Sequence, residues 1–381
     1  MNNLTGYIRR FSVTVFLNSK DISRNLSPYI SAWSYNDYLT GNIDYVSLTI
    51  SDDEQRVIKD WFPQLGDIIK VWIKCEHWTR SNDKVLKSSF GVFSIDNISA
   101  TYPPSTVTIR ARALPLVSTA SREIKNKSWE KTSLKTIASD IAIKCGLELK
   151  FKGEDFKYDR VQQTNQTDLE FLYKLTVEQQ KCMKITTDPK NDKKNVLWIQ
   201  EEEELEKGKV EMTITPQTEM VNRSLNIDFT KIFKSAQVIS TNSKKKGIIK
   251  STATDKNIEG VERKLVVKKR VADKASAEKL AKNALKEKNK RKWTAQFVLP
   301  IGNPRVRAGV VWELKDFGKF SRKYLVEEVI HSGNSSGYTT TVKLRGIEAQ
   351  NAKVETTVTI PPRKVRAKKG RGRRKGRMRK K

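Results

Sequence analysis

The pentapeptide Gly333-Asn334-Ser335-Ser336-Gly337 matches GxSxG, the spacing of a serine-nucleophile elbow, and His331 precedes it by two residues. Such an elbow exposes its serine on a sharp strand-to-helix turn, and a histidine presented from elsewhere takes the proton. Here residues 324–330 and 338–344 alternate on both sides of the match, and its Gly, Asn and Ser content suits a hairpin turn. A turn without catalytic function is the expectation. The run Glu201-Glu202-Glu203-Glu204 invites a cation. Four adjacent carboxylates cannot converge on one ion without special folding, so a solvated turn is expected. Cys75, Cys145 and Cys182 form no CxxC pair, and His77 and His331 are far apart. Reduced, buried thiols fit better than a disulfide framework or zinc site. No Walker loop or dinucleotide fingerprint is present. The sequence thus predicts no catalytic residues, no metal and no cofactor.

Charge is the loudest feature of the 381 residues, at +31 overall. Residues 353–381 hold 14 Lys/Arg and one acid, which gives that end +13 and leaves +18 for the first 352. Arg363, Lys364, Arg366, Lys368, Lys369, Arg371, Arg373, Arg374, Lys375, Arg377, Arg379, Lys380 and Lys381 form the candidate polyanion-binding tail. These side chains would neutralise phosphates without reading sequence, and no aromatic residue among them could stack on bases. A nucleic-acid-binding protein acting through this tail is the alternative reading of the chain. For the body, Lys244-Lys245-Lys246 and the cluster over 286–292 are read as a solvated basic face. No stretch reaches the roughly 20 apolar residues of a membrane span, and the start lacks a secretory core. Folding in the cytoplasm is expected.

The elements that must position these residues change period along the chain. Over 9–116, Phe11/Val13/Val15/Leu17, Val46/Leu48/Ile50 and Ile69/Val71/Ile73 alternate as half-buried strands between turn signals, the pattern of a sandwich or barrel. Leu134, Ile137, Ala138, Ile141 and Cys145 then repeat at three and four residues, an amphipathic helix ended by Gly146. Thr167-Asp168-Leu169-Glu170 fits a capping box that opens a second helix. Strands return near 183–187 and 196–200. Beyond 225 come further strands and a long helix from Asp273, with Ala277, Leu280, Ala281, Ala284 and Leu285 on one stripe. After Pro361-Pro362 the composition cannot bury enough surface to fold.

Several stretches, in this order, resemble the phage late control D family, which includes baseplate hubs and the hub portion of type VI secretion spike proteins. They include Ile30-Ser31-Ala32-Trp33-Ser34-Tyr35-Asn36-Asp37, Pro63-Gln64-Leu65-Gly66-Asp67 and Phe90-Gly91-Val92-Phe93-Ser94-Ile95-Asp96. The most recognisable is Gln162-Gln163-Thr164-Asn165-Gln166-Thr167-Asp168-Leu169-Glu170-Phe171-Leu172, and Tyr324-Leu325-Val326-Glu327-Glu328-Val329-Ile330-His331 is similar to the closing strands. The resemblance spans about residues 9–348. It implies a β-rich α+β chain with two β-barrel domains, 1–118 and 223–350, separated by an α+β insert, 119–222. The second barrel domain would carry the long helix, about 273–290; composition, rather than the resemblance, makes 351–381 a disordered basic tail. It further implies a homotrimer that adapts a six-fold tail tube to a three-fold spike. Partners would be tube, spike and other baseplate proteins and a tape-measure protein, in a particle assembled after synthesis in a bacterial cytoplasm. Because a hairpin serine shifts stability by less than about 0.5 kcal/mol, Ser335→Ala should leave the urea midpoint and assembly unchanged. Loss of an esterase or peptidase activity would contradict the structural reading.

Overall fold

The computed structural model describes residues 8–22, 26–78, 84–115, 118–188, 190–242, 247–271, 273–348 and 352–359. The first β segment contains β1 (Arg10–Leu17), β2 (Lys20–Asp21), β3 (Ile30–Tyr38), β4 (Tyr45–Ser51), the one-turn helix α1 (Arg56–Lys59), β5 (Ile68–Glu76), β6 (Leu86–Thr101) and β7 (Thr106–Arg112). Its strands pair in the order β3-β4-β7-β6-β5-β1-β2. Strand alternation sends every second side chain inward, and Val13, Val15, Val46, Leu48, Ile50, Ile69, Val71 and Ile73 are all buried.

The insert comprises β8 (Lys125–Ser133), α2 (Leu134–Lys144), β9 (Glu148–Phe151), β10 (Lys157–Gln166), α3 (Asp168–Glu178), β11 (Lys181–Asp188), β12 (Asn191–Glu201) and α4 (Glu202–Glu206). The apolar stripe of α2 is buried, and Gly146 ends the helix at φ +67, a left-handed position where glycine avoids Cβ strain. The capping box of α3 forms as its spacing requires: Glu170 N donates to Thr167 Oγ1 at 3.2 Å, and Thr167 N donates to Glu170 Oε2 at 2.8 Å. Trp129, Leu134, Phe171 and Leu197 join Leu48 and Phe93 in one contiguous core, so the insert packs directly on the first β segment.

The remaining elements are β13 (Val210–Ile214), β14 (Asn222–Ile227), β15 (Ser235–Asn242), β16 (Gly247–Asp255), β17 (Lys264–Lys268), α5 (Lys274–Asn289), β18 (Trp293–Leu299), β19 (Val311–Leu314), β20 (Arg322–Asn334), β21 (Gly337–Gly346) and β22 (Ala352–Thr359). They divide between two sheets. β13, β14 and β18–β21 extend the first sheet to thirteen strands, while β17-β15-β16-β22 make a separate four-stranded sheet. The split has a packing cause. Ala277, Leu280, Ala281 and Leu285 of α5 require an apolar surface, and Ala236, Val238, Ile249 and Ala253 of the small sheet supply it. β13 falls inside the span expected for the insert, yet it pairs in parallel with β19.

Two departures from expectation follow from pairing. The β segments are not independent sheets: β20 pairs antiparallel with β3 from Glu328↔Tyr38 to Asn334↔Ala32. Among the described residues the main ladder is one open path from β14 to β2, and neither half closes on itself. The sequence also places the start of the tail at 351, whereas Ala352–Thr359 form a strand on the edge of β16. The β-branched residues Val354, Thr356, Thr357 and Val358 suit a strand, and β16 offers unpaired backbone groups. Those two factors outweigh the basic composition that follows. Every tail cation from Arg363 onward lies outside the described residues. No helix among the described residues is long and apolar enough to cross a membrane.

A chain ending at residue 350 loses β22 and leaves β16 an open edge. Its unfolding free energy should fall by on the order of 2 kcal/mol, the scale of one buried apolar side chain. A chain ending at residue 360 should match the full-length protein in urea titration.

Candidate functional site

The GxSxG match is a hairpin. Ser335 and Ser336 link β20 to β21, and Ser336 N donates to Asn334 Oδ1 at 2.8 Å. No helix follows to form an elbow. His331 lies fully buried in β20, with Nδ1 2.7 Å from the Tyr338 hydroxyl and Nε2 3.1 Å from the Val306 carbonyl oxygen. Burial, and secondarily the Arg307 guanidinium, push its pKa down to about 3, so the ring is neutral. It stacks on Tyr35 at an interplanar angle of 9°. The cysteines are free and buried, and burial raises all three thiol pKa values, that of Cys75 to about 12. Among the described residues, no three His, Cys, Asp or Glu side chains are grouped to hold a metal ion.

The acidic run is not a solvated turn. Glu202–Glu206 form α4, and Glu202 and Glu206 project from one face into the protein, where Arg345 of β21 is 1% exposed. Arg345 Nη2 lies 2.7 Å from Glu202 Oε1 and 2.9 Å from Glu206 Oε1, and its Nε lies 3.4 Å from Glu327 Oε1 of β20. From α5 and the residue after it, Lys286 reaches Glu206 at 2.8 Å and Lys290 reaches Glu202 at 3.2 Å. Glu202 titrates below the usual carboxylate range although burial opposes this, because Arg345 and Lys290 favour its charged form. The sequence carried a partial signal, since Glu202 and Glu206 are spaced i,i+4 and share a helix face. Their cationic partners stand eighty or more residues away and could not be read from the run.

A second buried cluster joins all three segments, the first β segment included. Lys184 of β11 is ion-paired with Asp37 of β3 and lies 3.4 Å from Asp44. Ala308 N, in the last β segment, donates to the other Asp37 oxygen at 2.9 Å. Burial raises the pKa of Asp44 to about 7 against the opposing pull of Lys184, and the neighbouring Asp37 adds to the rise. Nearby, the Arg307 guanidinium sits 5.8 Å from the ring centroids of both Tyr35 and Phe90 and donates to Ser88 Oγ at 2.9 Å. Trp78 Nε1 donates to the Gly302 carbonyl at 2.6 Å across the same seam. A cavity of about 430 Å³ remains at this junction, walled by Tyr35, Asp37, Lys184, Trp198 and Arg307 among others. Asp37, Lys184, Arg307 and Trp78 are ion-paired or hydrogen-bonded across segments, an arrangement that fixes segments to one another.

Outside the seam, two surfaces suit assembly. Trp61, Phe62, Leu65 and Ile68 are exposed on the segment that follows α1. At the opposite end of the main sheet, β14 pairs only with β18 among the described residues, and the flanking Val221 and Phe229 are exposed. Unpaired edges and exposed apolar groups of this kind are normally covered by a neighbour.

This fold is that of solved phage-tail and type VI secretion proteins. A 43 kDa tail protein of prophage MuSo2 from Shewanella oneidensis matches with a TM-score of 0.64 at 14% identity, over 87% of this chain and 98% of that one. A tail protein from Neisseria meningitidis MC58 gives 0.61 at 12% identity, over 88% and 96%. An E. coli component of the type VI secretion system, described as structurally similar to the T4 bacteriophage tail proteins gp27 and gp5, gives 0.51 at 12% identity, over 90% and 76%. No family model matches the sequence, and no curated protein matches it. The structural neighbours are therefore those that the sequence resemblance implies.

Removing one partner of a buried ion network strands the others, at a cost of about 3–5 kcal/mol. Arg345→Met should lower unfolding free energy by that amount in urea titration. Lys207→Gln, which breaks an exposed pair with Glu203 on α4, should leave the midpoint unchanged.

Proposed function

We propose that this chain is the structural hub of a contractile-tail baseplate, a homotrimer that adapts a six-fold tail tube to a three-fold spike and performs no catalysis. The observation that carries this reading is the fold match to tail proteins along nearly their whole length. Two β segments per chain, docked through β20 and β3, would give three copies six β walls. Barrel closure would then be completed between neighbours, with the β14 edge of one copy meeting the β2 end of the next. The exposed Trp61–Leu65 surface would face a neighbour, the tube or the spike. Tape-measure and other baseplate proteins would complete the contacts. The tail cations from Arg363 to Lys381 would hold a polyanion by screened attraction with a range of about 8 Å at physiological salt.

Electron microscopy of the assembled particle, with mass measurement on the purified chain, tests the stoichiometry. Three copies at the end of the tube are expected. Six copies per ring, or a dimer in every context, would overturn the hub reading.

A further inference from the structure

The positive charge of the body is concentrated in one place. Residues 231–292, which build β15–β17 and α5, contain twenty Lys/Arg against six Asp/Glu, a net of +14. That leaves +4 for the other 290 residues ahead of Lys353. Two groups of these cations differ in the described structure. On the α5 side five are held by acids: Lys269 by Glu178, Lys279 by Glu154, Lys286 by Glu206, Lys290 by Glu202 and Arg291 by Glu327. On the opposite face of the small sheet, Lys250, Lys264 and Lys268 are exposed and form no ion pair among the described residues.

Register places these lysines on one plane. Lys268 and Lys250 lie in the row of Ile239, whereas Lys264 and Lys353 lie in the row of Ser235 and Thr254. Strand geometry sets Lys268 about 10 Å from Lys250 and about 13 Å from Lys264. Between the rows stand Gln237 and Thr252, a hydrogen-bonded pair, and Glu355, the acid at this position on β22. β22 leads from this sheet directly into the basic tail.

We propose that the outer face of the four-stranded sheet is a sequence-independent binding surface for the phosphate backbone of nucleic acid. Spread cations and short polar side chains are what phosphodiester contacts use. An acidic protein fits less well, because stable protein interfaces are built around an apolar centre, and among the described residues this face offers only the scattered Ile239, Ile248 and Val266. The proposal does not depend on the hub reading, and trimer formation is measured separately from it.

The test is a salt titration of full-length protein on random-sequence duplex DNA. Each phosphate contact contributes about 0.9 to the slope of log K against log salt. K250Q/K264Q/K268Q should therefore reduce the slope by about 2 to 3, with the tail contribution retained. A control, K59Q/K87Q/K135Q, removes the same charge from exposed lysines elsewhere and should leave the slope nearly unchanged. Circular dichroism checks that both variants fold. An unchanged slope in the face variant would overturn the proposal, as would equal losses in both variants, which would mean that net charge alone binds. Loss of poly-glutamate binding with DNA binding intact would also overturn it and assign the face to an acidic protein.

Discussion

Arg345 imposes the constraint on which the rest of the arrangement depends. A guanidinium held at 1% exposure is strongly unfavourable unless carboxylates surround it, and the desolvation penalty is several kcal/mol per ion even after relaxation. Glu202 and Glu206 can meet that need only if α4 docks against β21, and Glu327 only if β20 keeps its register. Lys286 and Lys290 then extend the requirement to α5 and the sheet it covers. An apolar cluster of equal volume could hold these elements as firmly. The ions add specificity, since one docking satisfies every charge.

The seam between the β segments follows the same logic with weaker individual contacts. The β20–β3 ladder alone would leave a hinge between two halves. Tyr35, Phe90 and His331 stack across it, and Arg307 lies against two of those rings while its N–H groups reach Ser88 and the Ser89 carbonyl. Aromatic pairs contribute about 0.5–1.5 kcal/mol beyond their buried area, so several together stiffen the junction. Asp37 adds a charged tie to both Lys184 and Ala308 N.

Charge serves two purposes in the chain, and the fold separates them. Acids of the insert and of β20 neutralise the cations of α5 that face inward, where an unpaired charge would be costly. The lysines of β17 and β16 that face outward meet no such acids. Lysines on an edge strand also discourage strand-to-strand aggregation. That role fits Lys264 and Lys268 on β17, but not Lys250, which sits on an interior strand.

Much of the local structure was legible because it depends on neighbours in sequence. The alternation of Val46, Leu48 and Ile50, the stripe of α2 ended by Gly146, the Thr167–Glu170 capping box and the start of α5 at Asp273 each need only a few consecutive residues. The hairpin nature of Gly333–Gly337 was readable for the same reason. The tail boundary at 351 was misplaced because β22 exists only through its pairing with β16, more than ninety residues away. The solvated turn expected at Glu201–Glu204 was wrong because burial of Glu202 depends on Arg345, 143 residues later. The sequence alone determined the periods, caps and turns, which short-range sterics and hydrogen bonding decide. Only the tertiary structure decided which sheets merge, which charges are buried in pairs and which face outward, because those outcomes rest on contacts between residues that no local pattern brings together.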